Sequence, residues 1–337
     1  MRSAILVVVS FLTGCISPVE LDFPGSYSPK IVVNSAFTPD SVWTVYLQQS
    51  IPYTDTIDWE EQYILDAGVY ITDGQGTNER LLHVEDGIYK SFQGLHPVPG
   101  IEYALMVDAP SFTPVQAKSS APELTVYLDS IEELQEPDRY NPGLYEAALS
   151  LEDQVGNHRY SIEILQVWPE CNERQRYDNL PPLENAGTGL RPGKLESSFP
   201  GLYPTPVEAE DASEEPSTTD GDISAVYFSD RLFEQEVVKI NLTLEVQYYG
   251  EVAPYFMIVV SNWSRELWDY RISDWRSTGF DYDYFLASPR PVSVITNVEN
   301  GLGFFAGITH KTFRSDRQGM EWTDEQVNLG GSCDDSI

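Results

Sequence analysis

Six short stretches between residues 31 and 109 are rich in Val, Ile and Tyr, alternate side chains clearly at 69–72 and 103–107, and are separated by turn-forming residues at nearly even intervals: IVVNSAF (31–37), WTVYLQQS (43–50), AGVYITD (67–73), ERLLHVED (79–86), GIYKSF (87–92) and EYALMVDA (102–109). Period-two alternation places successive side chains on opposite faces of an extended chain, so these stretches fold as strands and not as helices. The breaks Thr38-Pro39-Asp40, Asp73-Gly74-Gln75-Gly76, Asp86-Gly87 and Pro97-Val98-Pro99-Gly100 are turn chemistry. Even spacing of strands and turns predicts an antiparallel sandwich. After Ser119-Ser120-Ala121-Pro122, read as a joint, strand patterns resume at 124–134, 145–153, 158–168, 236–249 and 254–263. One segment, 264–277, has apolar residues at helical spacing, with Ser264 placed to cap it. The expected fold is mainly all-β: two antiparallel β-sandwich, immunoglobulin-like domains, 31–122 and 123–313, with one short helix. The stretch 169–222 reads as a long acidic loop insertion ending in EAEDASEEPSTTDGD, and 314–337 as a tail.

The first fourteen residues follow different rules. Arg2, an apolar run from Ala4 to Leu12 and the small residues Thr13 and Gly14 make a secretory signal peptide, too short to span a bilayer as a mature helix. Leu12-Thr13-Gly14-Cys15 resembles the bacterial lipobox, in which the cysteine thiol receives a diacylglycerol and becomes residue one. Cys15 is therefore expected to be a lipid attachment site, with 15–30, containing three prolines, as the linker from lipid to fold.

Composition narrows the partners. Acidic residues outnumber basic ones 53 to 20, and loss of Arg2 with the leader takes the net charge from −33 to −34. Such a surface repels nucleic acid and anionic lipid, leaving the membrane to be reached through the acyl anchor. With Cys15 lipidated, Cys171 and Cys333 are an even pair in an oxidising compartment; a disulfide and two free thiols are both open readings.

Motifs for catalysis are absent from the sequence. It contains no G-x-S-x-G elbow, no Ser-x-x-Lys, no H-E-x-x-H and no phosphate-binding glycine loop. His83, His96, His158 and His310 are scattered singly, whereas metal ligands would cluster. Asp73-Gly74-Gln75-Gly76 has the length of a hairpin turn, and Asp281 with Asp283 is one acidic pair among many. The triplets at Asn241 and Asn262 match the glycosylation pattern by chance. The chain is expected to need no cofactor or metal and to be no enzyme.

Several stretches together resemble the domain-of-unknown-function 4249 family. IVVNSAFTPD followed by VYLQQSIP, the hairpin AGVYITDGQG, the GIYKS turn and the EYALMV strand are similar to the family's opening. YFSDRLFEQEVVKINLTL resembles its Phe-Ser-Asp-x-x-Phe segment, carried here by Phe228, Ser229, Asp230 and Phe233. SPRPVSVITNVENGLGFFAGIT resembles its closing signature, carried by Asn297, Asn300, Gly301, Gly303 and Phe305. The resemblance spans about 30 to 310 and implies an outer-membrane lipoprotein of Bacteroidota, of a kind encoded beside TonB-dependent transporters, with no established enzyme activity. These signature residues read as structural, the glycines supplying turn geometry and Phe305 filling core. The expected function is non-catalytic: an accessory or ligand-capture partner of a TonB-dependent transporter, with a structural or adhesive envelope protein as the alternative.

Overall fold

The computed structural model describes residues 27–52, 62–76, 78–135, 143–154, 156–167, 190–192, 194–197, 225–230, 237–246, 255–278, 293–315 and 322–324. The fold is all-β and sandwich-like, with one helix of appreciable length among these residues. Seven strands build the first unit: β1 (Ile31–Phe37), β2 (Thr44–Gln49), β3 (Gly68–Thr72), β4 (Asn78–Glu85), β5 (Ile88–Ser91), β6 (Glu102–Asp108) and β7 (Val115–Ser120). They pair antiparallel in the order β1-β2-β5-β4-β3-β6-β7. Alternation sets which side chains turn inward: Ile31, Val33 and Phe37 of β1 are buried, as are Val45 and Leu47 of β2 and Leu105 and Val107 of β6. At one end of this core the rings of Phe37, Trp43, Tyr103 and Phe305 pack with centroids 4.7–6.4 Å apart, in mostly tilted or edge-on pairs.

The second unit is two sheets face to face. One runs β12 (Lys194–Ser197), β14 (Val237–Val246), β9 (Gly143–Glu152), β8 (Val126–Gln135). The other holds β10 (Arg159–Val167), flanked on one side by β11 (Leu190–Pro192) and β13 (Ala225–Ser229) and on the other by β15 (Tyr255–Trp263), then β16 (Leu302–Ser315) and β17 (Trp322–Asp324). Leu149, Leu151, Ile162, Phe228, Leu242 and Ile258 fill the space between them.

One strand belongs to both units. Leu302–Gly307 of β16 pairs parallel with β1, and Ile308–Arg314 pairs antiparallel with β15. At about 3.3 Å per residue its fourteen residues run for roughly 46 Å, long enough to serve two sheets in succession. Val298 and Phe305 therefore pack in the first core, although the sequence reading placed 123–313 wholly in the second unit. The reason is length: a single apolar pattern near a chain end does not reveal that its two halves face different partners. β16 also extends into the residues read as tail.

The stretch read as a joint is a welded seam. Ser119 is buried at the end of β7 and Ala121 is fully buried beside it. Ser119 Oγ donates to Glu266 Oε2 (2.9 Å), and the Ser264 amide donates to the Gly307 carbonyl (2.9 Å). Strand β7 escaped the sequence reading because its inward residues are small, Ala117 and Ser119 among them, to admit the backbone of β16. Helix α1 (Arg265–Thr278) sits over this seam and begins where Ser264 Oγ accepts from the Leu267 amide (3.3 Å). A parallel strand pair needs cover on both faces. Phe305 of β16 points into the first core, and Phe304 on the opposite face is covered by Tyr270 of α1, with ring centroids 4.5 Å apart.

Two glycines allow β16 to lie this close. Gly303 has φ 86°, and a Cβ there would collide with the Val33 carbonyl; a Cβ on Gly307 would meet the backbone of Ser120 and Ala121. Gly303→Ala should therefore cost several kcal/mol, from left-handed backbone strain added to the steric clash. Thermal denaturation will show a large drop in Tm for Gly303→Ala and a clearly smaller one for Gly94→Ala, where a Cβ would meet nothing within 4 Å and only the backbone term (φ 69°) applies. Equal shifts in the two variants would contradict the packing argument.

Candidate functional site

The closing signature builds a clamp between the free edges of the first sheet. β7 and β16 face each other there without forming a ladder. Asn297 Nδ2 donates to the carbonyls of Lys118 on β7 (3.1 Å) and Phe305 on β16 (2.7 Å), while its Oδ1 accepts from the Phe305 amide (3.1 Å). One side chain thus supplies what a neighbouring strand's backbone would. The turn leading into β16 is held by Thr296 Oγ1 donating to the Gly303 carbonyl (2.7 Å) and by Asn300 at φ 62°, a conformation asparagine tolerates. Gly301 is confined by Val298, Val115 and the Ile31 carbonyl. Gly303, read from sequence as a turn residue, lies inside the strand.

The Phe-Ser-Asp signature builds a second arrangement, a buried polar node at the base of β10. Phe228 stacks on Tyr160 with centroids 5.2 Å apart. Asp230 then turns back on β10: its Oδ2 accepts from the His158 amide (2.5 Å) and its own amide donates to the His158 carbonyl (3.2 Å). Burial raises the pKa of Asp230 above the ordinary carboxylate value and the neighbouring Asp153 adds to the rise; the His158 amide, the His158 ring and Arg159 oppose it. Burial, with Asp230 and Asp153 nearby, also raises the Tyr160 hydroxyl. Fully buried Asn262 on β15 reaches the same node, its Nδ2 donating to the Glu123 carbonyl (2.7 Å) and lying 3.2 Å from His158 Nδ1. Asn262 is thus structural and inaccessible to a glycan.

A third arrangement lies under α1. Tyr227, Trp263 and Trp268 form a near-equilateral triangle of edge-to-face contacts with centroids 6.1–6.3 Å apart, and Trp263 Nε1 donates to Ser161 Oγ (2.9 Å). Glu163 beside them has its pKa raised by burial and partly lowered by Arg271; burial and Glu163 push the Tyr227 hydroxyl up to about 12. The three rings fill each other's contact surface, so this is a packed satellite core.

The remaining sequence candidates are dispersed. His83 packs edge-on to Tyr89, His96 Nδ1 lies 3.2 Å from the Pro39 carbonyl, and His310 Nε2 lies 3.5 Å from Asp40 Oδ2. Burial lowers the pKa of His310, with Asp40 opposing. Asp73 accepts from the Gln75 amide (2.8 Å), closing a tight turn. Among the described residues no three of His, Cys, Asp and Glu are placed to hold a metal ion, and no helix is long and apolar enough to cross a membrane. Cys15, Cys171, Cys333, Phe233, Asp281, Asp283 and the run 207–222 lie outside the described residues. His158, Asn262, Glu163 and Arg271 were not foreseen as partners, because each joins its cluster through strand register and no local motif marks it. Chemically, the clamp and the node hold backbone, Asn297 and Asp230 acting on main-chain groups, while the ring triangle adds side-chain packing and the Trp263–Ser161 bond.

This all-β chain, with its clamp and its buried node, belongs to the family described as domain of unknown function (DUF4249), which matches residues 16–314. No curated protein matches it in sequence. Among solved structures it is similar to a protein described as membrane anchored from Corynebacterium diphtheriae (12% identity, 71% of this chain and 55% of that one, TM-score 0.17). It is also similar to the BcpA major pilin subunit of Bacillus cereus, both as a single-substitution variant (8%, 70% and 64%, 0.19) and without that substitution (7%, 70% and 64%, 0.18). The stretches matched span between about half and two thirds of those chains.

The node makes stability depend on pH in a defined direction. A carboxyl whose folded pKa is raised contributes stability that is present below its unfolded value, near 3.8, and lost as pH rises through the raised one. Asp230→Asn keeps the acceptor for the His158 amide and removes the buried charge. It should melt above wild type at pH 7, with the advantage shrinking as pH falls toward 4. An Asn variant less stable at pH 7 by a margin that does not change with pH would contradict this assignment.

Proposed function

We propose that this protein is an exported, lipid-anchored envelope protein of the outer membrane that works by contact and not by catalysis, as an accessory partner of a TonB-dependent transporter. One observation carries the reading: the lipobox-like Leu12-Thr13-Gly14-Cys15 ends one residue before the family match begins at residue 16. The residue that would bear the acyl chains thus stands immediately before the stretch that the family shares. The fold supports the same reading, since its family signatures are spent on clamping strands. A chain held at a membrane surface also meets partners there at high effective concentration, so a modest interface suffices.

Cys15→Ala tests the anchor and tagged wild type tests the partnership. The variant should remain unprocessed or appear in the soluble fraction, and wild type should incorporate labelled fatty acid and co-purify in mild detergent with a transporter barrel. A variant processed and fractionated like wild type would overturn the anchor. Anchored protein isolated with no transporter would favour the structural or adhesive role, and purified protein turning over a glycan or peptide would overturn the non-catalytic reading.

A further inference from the structure

Asn262 on β15 is fully buried, and both hydrogens of its side-chain amide are committed. Nδ2 donates to the Glu123 carbonyl (2.7 Å) and to His158 Nδ1 (3.2 Å). The direction of the amide is fixed by chemistry. A carbonyl only accepts, so reversing the amide would press Oδ1 against the Glu123 oxygen. His158 Nδ1 must therefore offer a lone pair, and the ring carries its proton on Nε2. The neutral ring is thus the form that this contact demands. Asn262 Oδ1, on the other side of the amide, is buried with no hydrogen-bond partner.

Glu123 belongs to the segment that joins the two units. On the side of the first unit the Gly100 amide donates to the Ala121 carbonyl (2.8 Å), and on the side of the second the Glu152 amide donates to the Thr125 carbonyl (3.0 Å). Between these fastenings the Asn262–Glu123 bond ties the segment to β15. The His158 ring is held where it stands. Its own amide and carbonyl are both bonded to Asp230, and its edge packs against Gly156, where a Cβ would come within 3.0 Å of Nε2. Among the described residues, the charged and titratable groups around this ring are Asp230 after β13, Asp153 after β9, and Arg159 and Tyr160 on β10. Arg159 Nη1 donates to the Asn157 carbonyl (3.3 Å), the Tyr160 ring centroid lies 6.3 Å from that of His158, and the Glu123 carboxylate is turned toward Gly100.

We propose that His158 is a proton-operated latch on the joining segment: neutral, it steadies the Asn262 amide on Glu123, and charged, it turns that amide and releases Glu123. Imidazole is the side chain that changes charge at mildly acid pH. A proton on Nδ1 sets two donors face to face. Turning the Asn262 amide relieves the conflict, because Oδ1, idle in the neutral state, then accepts a charge-assisted bond from Nδ1. The same turn breaks the bond to Glu123, where two acceptors now meet. The Asp230 carboxylate stands beside the new positive charge and attracts it. The release is local. Strand β16 still pairs with both β1 and β15, so acid loosens residues 121–125 without parting the units.

Two measurements on the full chain in detergent test this. Nitrogen-15 spectra of the ring nitrogens of its four histidines, with His158 assigned by its loss in His158→Asn, read the tautomer directly. At neutral pH His158 should carry its proton on Nε2 alone, and Nδ1 should gain one on mild acidification. Over the same pH range hydrogen-exchange protection of residues 121–125, corrected for the intrinsic rate, should fall about tenfold. In His158→Asn, whose side-chain oxygen takes the place of Nδ1 and accepts from Asn262 at every pH, protection should stay constant. A proton on Nδ1 at neutral pH would overturn the proposal, as would a ring that charges while 121–125 stays protected. Loss of protection that persists in His158→Asn would assign the effect to Asp230 and overturn it too. If His158→Asn fails to fold, the wild-type midpoints decide: coincidence of ring charging and loss of protection supports the latch, and separate midpoints overturn it.

Discussion

The rest of the structure depends on the run of backbone hydrogen bonds along β16. Its first six residues complete the first sheet against β1, and the next seven lie against β15 of the second. A strand can change partners in this way only if nothing intervenes, which is why glycine stands at 303 and 307, where Val33 and the Ser120–Ala121 backbone press in. Backbone hydrogen bonds contribute only about 1 kcal/mol each in net terms, but leaving buried ones unmade is expensive. Separating the two units would strip one half of the strand from its partner and break the contacts of α1 across the seam. The units therefore share one scaffold, and the position of each signature residue follows from it.

Polar groups are placed to protect this scaffold at its weak points. A sheet whose edges meet without a ladder leaves carbonyls and amides unpaired, and Asn297 answers two carbonyls and one amide at that place. The base of β10 is held by Asp230 and Asn262 through backbone atoms of His158 and Glu123. Burying Asp230 raises its pKa, a local cost accepted for a reciprocal pair of bonds that fixes where β13 ends. The resulting body is held at its centre by side chains that bind backbone.

Much of the first unit was legible in the sequence because its strands are short, β-branched and aromatic and separated by turns, and GVYIT and EYALMVD bury every second residue as their alternation requires. Helix α1 was legible through its spacing and its Ser264 cap. β7 was not, since Ala and Ser on an inward face look like loop chemistry until the backbone they accommodate is known. Nor was the double role of β16, because partner choice is a property of register and not of composition. The signature residues could be located from sequence but their tasks could not. Asn297 works through atoms on Lys118 and Phe305, the former 179 residues away, and Asp230 works through the backbone of His158, 72 residues away.

The central claim, that one strand welds two cores into a single cooperative body, is tested most directly by native-state hydrogen exchange along β16. Amides in 302–307 and in 308–313 should share one opening free energy equal to that of global unfolding, because neither half can be released while the other stays paired. Protection of 308–313 at the global value, with 302–307 exchanging through a separate and much cheaper opening, would contradict the account and make the first unit an independently moving domain.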